Sequence, residues 1–143
     1  MNYKLYIIIC CFLPLTLWSN DTTLKLDSML VKNVVDAEHA SQLSKLLVLD
    51  NEGRIKPYHT LASELLRKIS RKDQLYNQNA SQVITGMRVV PWLWQITPLI
   101  KVSDPEILKV LNQEGPLIPF MSFLDQENYI LQSYVETANN KRP

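Results

Sequence analysis

The chain is poor in the residues on which most site chemistry depends. Of its 143 residues, 3 are glycine, 2 are cysteine and 2 are histidine. Gly53, Gly86 and Gly115 are far apart, so no glycine-rich phosphate loop can be built and the nucleotide-binding folds that need one are excluded. Cys10 and Cys11 both lie in an apolar N-terminal run; beyond it there is no disulfide framework and no thiolate metal site. No C-x-x-C-H occurs, so the chain does not itself carry covalent c-type haem. Charge of one sign is lacking as well. With Lys4 set aside with the N-terminal run, 15 minus 1 basic residues face 14 acidic ones, and a net charge of zero gives no bulk attraction to nucleic acid.

Long hydrophobic runs are absent except at the start. Leu5 to Trp18 is apolar for 14 residues, follows Lys4 and precedes Ser19, Asn20 and Asp21. That is the layout of a signal peptide over 1–20, and it falls short of the roughly 18–20 residues that span a bilayer. An uncleaved anchor is the alternative, because bulky Leu17 stands where a cleavage site prefers a small residue. The expected location is the periplasm, by export, with tethering to the inner membrane as the variant.

What remains has ordinary globular composition, 46% hydrophobic and 20% charged. Residues 21–36 read as a linker or loose strand, since Leu24 and Leu26 alternate with polar residues. Asp36 is placed to cap a short helix over 37–46. "LLVLD" reads as a buried strand, Asp50 to Gly53 as a tight turn, and Arg54-Ile55-Lys56 as the return strand, with Ile55 facing one way and the two cations the other. Pro57 should stop that strand and Thr60 should cap a helix over 61–70, burying Leu61, Leu65 and Ile69. On that reading Leu65→Ala costs about 2–5 kcal/mol and Thr60→Ala about 1.

Further on, "RKDQLYNQNA" reads as a polar connection, and Asn79 or Ser81 can cap a helix with Val83, Ile84, Met87 and Val90 on one face. "PWLWQITPLIKV" suggests an aromatic corner and a strand over 99–102. Asp104-Pro105 starts a helix that Gly115 closes. A proline-limited strand, a turn near 125–128, a last helix and a frayed tail over 137–143 complete the chain, and 37–136 form one module. The expected class is α+β: a small mixed domain with short amphipathic helices and a short β-hairpin.

The candidate sites are sparse. His39 and His59, with Asp50 and Glu64, are the material for an acid/base or metal-dependent hydrolase, although their spacing matches no ligand motif and no nucleophile elbow surrounds Ser63. Arg54, Lys56, Arg67, Lys68, Arg71 and Lys72 are the one basic concentration, suited to a carboxylate ligand, haem propionates included, or to lipid headgroups. Arg54, Lys56, His59, Arg67 and Lys68 are the expected partner- or anion-binding residues. No catalytic residue and no metal ligand is assigned.

Three stretches, "HASQLSKLLVLDNEGRIKPYHTLASELLRKIS", "QVITGMRVVPWLWQITPLIKV" and "SFLDQENYIL", together resemble the extracytoplasmic segment of the large fused system II cytochrome c biogenesis proteins, which export haem and attach it to apocytochrome c. The similarity runs from His39 to Val102 and more thinly to Tyr134, with Gly53-Arg54-Ile55-Lys56-Pro57 and the "TLASELLRKI" block at its centre. In that family the chemistry belongs to a tryptophan-rich motif and to histidines at transmembrane helices. "PWLWQ" has neither the glycine nor the aspartate of that motif, and no family ligand carries over to His39 or His59. The resemblance implies a detached or truncated periplasmic module. Its expected partners are membrane haem-export and cytochrome c synthetase subunits and apocytochrome c, with haem met only through those subunits. A non-functional fragment of the larger protein is the remaining reading.

Overall fold

A computed structural model describes residues 21–126 and 128–140. The expected leader, with Cys10 and Cys11, and the last residues of the expected tail, 141–143, lie outside them. The domain is α+β. Helices α1 (Asp21–Lys32) and α2 (Ala37–Ser44) lead into strands β1 (Leu47–Leu49) and β2 (Ile55–Pro57) and helix α3 (Tyr58–Ser70). Strands β3 (Gln74–Leu75) and β4 (Gln78–Asn79), helices α4 (Ala80–Val89) and α5 (Pro91–Ile96), strand β5 (Ile100–Lys101), helix α6 (Pro105–Val110) and strand β6 (Leu117–Ile118) follow. A 3₁₀ turn (Phe120–Phe123), strands β7 (Leu124–Asp125) and β8 (Asn128–Tyr129) and helix α7 (Gln132–Asn140) end the described chain. The strands form separate antiparallel pairs, β1–β2, β3–β4, β5–β6 and β7–β8.

The core lies between α3, α4 and α5. Ala62 and Leu66 of α3, Val83 and Ile84 of α4 and Leu93 and Trp94 of α5 are buried together, joined by Leu30, Leu75 and Leu99. Two hydroxyl contacts fix the helices around it: Tyr58 Oη lies 2.9 Å from Thr85 Oγ1, and Ser44 Oγ 3.0 Å from Ser81 Oγ. Tyr76 donates to the Pro98 carbonyl at 2.8 Å, and burial, with Asp27 as a lesser cause, pushes its phenol up to about 12. Helix α4 begins with a complete capping box, in which Asn79 accepts from the Gln82 N–H and Gln82 accepts from the Asn79 N–H. The same Gln82 donates to the Val35 carbonyl at 2.8 Å and ties the α1–α2 connection to the core.

Several sequence-based expectations are corrected. Residues 21–32 are helical rather than a loose strand, because Leu26 and Leu30, four apart, form a helical seam and Leu30 enters the core. Helix α3 starts at Tyr58 with Pro57 as its N-cap, so Thr60 caps nothing; its hydroxyl lies 3.3 Å from His59 Nε2. The buried face of α3 is Ala62, Leu66 and Ser70, which turns Leu65 to the margin at 36% exposure. The strand ends at Pro57 as expected, although Pro57 itself pairs with Leu47 as the last residue of β2. The stretch 74–79 is a small hairpin rather than a bare connection, with Tyr76 and Asn77 in left-handed conformation. Residues 91–96 form helix α5, not a corner, and the strand after it is confined to Ile100 and Lys101. Helix α6 ends at Val110 with Asn112, not Gly115, in the left-handed conformation. Helix α7 takes in 137–140 of the expected tail.

Candidate functional site

The region of interest is the β1–β2 hairpin and the helix that follows it. Asp50 shapes the turn: its Oδ1 accepts from the Glu52 and Arg54 N–H groups, both at 2.9 Å, and Gly53 takes φ +78, which a residue with a side chain adopts only under strain. Register then pairs Leu49 with Ile55, Val48 with Lys56 and Leu47 with Pro57. Because alternate residues share a face, Val48 and Lys56 lie on one side and Leu47, Leu49 and Ile55 on the other.

The hairpin packs with its charged side inward. Lys56 Nζ sits 2.9 Å from Asp50 Oδ2 and 2.8 Å from Glu64 Oε2 on α3, and its side chain is only 12% exposed. The hydrogen bond from Lys56 is the main cause that holds both carboxyls below their ordinary values, and for Asp50 the Arg54 N–H adds to it. Those carboxylates in turn raise the Lys56 ammonium, chiefly through its bond to Glu64. Arg54 pairs with Asp50 at 3.1 Å and Glu52 at 2.7 Å. Ile55 and Lys56 face opposite ways as expected, and Arg54 is exposed at 63%, but Lys56 is turned inward rather than outward and β1 is not buried. Leu47, Leu49 and Ile55 face water at 70%, 68% and 71% exposure.

Of the expected binding residues, the structure brings Arg54, Lys56 and Lys68 to one cavity of about 290 Å³, but Asp50, Glu52 and Glu64 line it too, so its charge is balanced rather than basic. His59 and Arg67 lie on another flank of α3. His59 Nδ1–H donates to the Ser44 carbonyl at 3.2 Å, and Arg67 pairs with Asp73. His59, Ser63 and Asp73 line a separate polar cavity of about 310 Å³ with Ser41, Ser44 and Ser81. His59 thus shares no cavity with Asp50 and Glu64, and among the described residues no group of three or more His, Cys, Asp or Glu is arranged to hold a metal. His39 is exposed beside Asp36 at 3.8 Å. Among the described residues, His59 therefore does not converge with Asp50 and Glu64.

Two features were missed by reading residues one at a time. The serine-rich cavity is foreshadowed only by His59 and Ser63, four apart on a helix. The outward apolar triplet has no such signal, because "LVL" is apolar throughout and only its burial alternates.

No family model matches the chain. It is similar to Protein NrfI of Wolinella succinogenes, at 32% identity over 108 residues, which is 74% of this chain and 12% of that protein. The chain therefore spans only a small part of that relative's length. The match supports a link, at the level of the family, to cytochrome c biogenesis.

Proposed function

We propose that this chain is an exported, periplasmic accessory module of cytochrome c maturation, acting on haem delivery or attachment by docking rather than by catalysis. Its partners on this reading are membrane subunits that export haem or join it to protein, and apocytochrome c itself. The observation that carries the proposal is the 108-residue similarity to NrfI. The geometry agrees with docking in one respect: the charged groups of the hairpin satisfy one another, whereas its apolar side chains are left in water. Arg54 and Lys68 at one cavity, with His59 and Arg67 on the neighbouring flank of α3, are the side chains proposed to meet carboxylates of a partner.

The direct test is deletion of the gene followed by in-gel staining of membranes for covalent haem. Loss or strong reduction of c-type cytochromes is expected, with recovery on complementation; an unchanged cytochrome pattern would overturn the proposal. N-terminal sequencing of the mature protein tests export by a cleaved leader, which an N-terminus at Met1 would contradict.

A further inference from the structure

Strand β1 has an open edge of defined chemistry. In an antiparallel pair, facing residues alternate between those that exchange backbone hydrogen bonds and those whose N–H and C=O groups point away. Asp50 N–H donates to the Arg54 carbonyl at 2.9 Å and Tyr58 N–H to the Leu46 carbonyl at 2.8 Å, which identifies the bonded pairs on either side of the strands. By alternation the Val48–Lys56 pair is bonded, whereas Leu47–Pro57 and Leu49–Ile55 are not. The backbone donors and acceptors of Leu47 and Leu49 therefore point out from the free edge of β1, and no described residue bonds them.

The usual protections against strand addition are missing from this edge. Proteins blunt exposed edges with proline, with charge, with bulges or with a covering element. Here Pro57 blunts β2, since it has no N–H to offer, but β1 has no counterpart. Lys56, the one charged residue within either strand, is turned inward to Asp50 and Glu64. Beside the open backbone stand Leu47, Leu49 and Ile55 on the outward face.

We infer that β1 takes up an extended segment of another polypeptide as a third strand, one free of proline and apolar at alternate positions. An extended backbone meets the unpaired groups of Leu47 and Leu49 at strand spacing; a helix or a lipid surface does not. Pairing of β1 with its own copy would engage the same groups, and it is one outcome of the test below, read from protection of Leu47 and Leu49 that rises with protein concentration alone. The inference rests on the docking proposal only for which polypeptide supplies the strand.

The test uses the full chain, labelled with ¹⁵N, and a synthetic acetylated peptide, Lys-Thr-Val-Thr-Val-Thr-Val-Lys amide. A control peptide carries N-methyl groups on the valine nitrogens, so that side chains are kept and donors lost. Binding of the plain peptide with slowed amide exchange at Leu47 and Leu49 is expected, and the N-methyl peptide should bind about tenfold more weakly or worse. Leu49→Pro should weaken plain-peptide binding to the same degree. It leaves the β1–β2 ladder intact because the Leu49 N–H takes no part in it, and unchanged protection of the Val48 and Lys56 amides verifies that. Equal affinity for the two peptides, no binding of either, or protection of Leu47 and Leu49 that rises with protein concentration alone would each overturn the inference. Cellular haem staining reads the maturation proposal separately. Normal cytochromes in a Leu49→Pro strain, with peptide binding lost in vitro, would sink the link to maturation and leave strand uptake in place.

Discussion

The indole of Trp94 lies directly against the backbone of Gly86: a Cβ at position 86 would stand 2.9 Å from Nε1 and 3.3 Å from Cε2 and Cζ2. Glycine in a helix interior ordinarily costs about 1 kcal/mol against alanine, so helix propensity alone favours Gly86→Ala. Here Trp94 is buried at 4% exposure and its fused ring cannot yield as the end of a long side chain would. Overpacking of this kind costs about 1–3 kcal/mol, which outweighs the propensity gain. Gly86→Ala should therefore lower the midpoint of chemical unfolding. The same substitution made in a Trp94→Phe background should cost less, and equal costs in the two backgrounds would remove the contact as the cause.

Helix α3 offers a sharper test of which face is buried. Leu66 is fully covered among Leu30, Ala62, Val83 and other core residues, whereas Leu65 is 36% exposed. Leu66→Ala should cost about 2–5 kcal/mol and Leu65→Ala less than half as much. Urea unfolding of the two variants decides it, and equal losses would mean that the helix is rotated from the orientation described.

Capping provides the third prediction. Asn79 and Gln82 satisfy each other's backbone N–H groups at the start of α4, at 3.0 and 3.1 Å, while Thr60 lies within α3 and caps nothing. Asn79→Ala should cost about 1 kcal/mol and Thr60→Ala close to nothing. Thermal melts followed by circular dichroism separate the two, and a silent Asn79→Ala would count against the capping box.

These contrasts show what is legible along the chain. The turn at Asp50 and Gly53 and the caps at Asp36, Asn79 and Asp104 are local chemistry, and each is where the sequence places it. Helix α1 was hidden because Leu24 and Leu26 alternate, although the contact that matters joins Leu26 and Leu30. The hairpin register is likewise local. Its facing is not, because register fixes which side chains share a face but not which face meets α3. That is decided by Glu64, eight residues beyond Lys56, which with Asp50 draws the ammonium inward. The binding residues divide for a similar reason: Arg67 and Lys68 are neighbours in sequence but lie about 100° apart around a helix, so Arg67 pairs with Asp73 while Lys68 lines the cavity beside the hairpin.

The inward lysine gives stability a pH signature with two edges. Asp50 and Glu64 have folded values below their ordinary 3.8 and 4.5, so their contribution is present above the ordinary values and lost as pH falls toward the folded ones. Lys56 is raised above its ordinary 10.5, so its contribution is present below that value and lost as pH rises through the folded one. The network should therefore contribute fully between roughly pH 5 and 10 and fade on both sides. Lys56→Met removes the shared partner of both carboxylates and leaves Asp50 with Arg54. At pH 7 this variant should melt below the parent chain, and the gap should narrow below pH 4, where the unfolded chain takes up protons at Asp50 and Glu64 that the folded parent binds only at lower pH. Melting curves of both proteins from pH 2.5 to 8 provide the comparison. A gap that stays constant on acidification would show that Lys56 stabilises the hairpin through packing of its alkyl chain rather than through its charge.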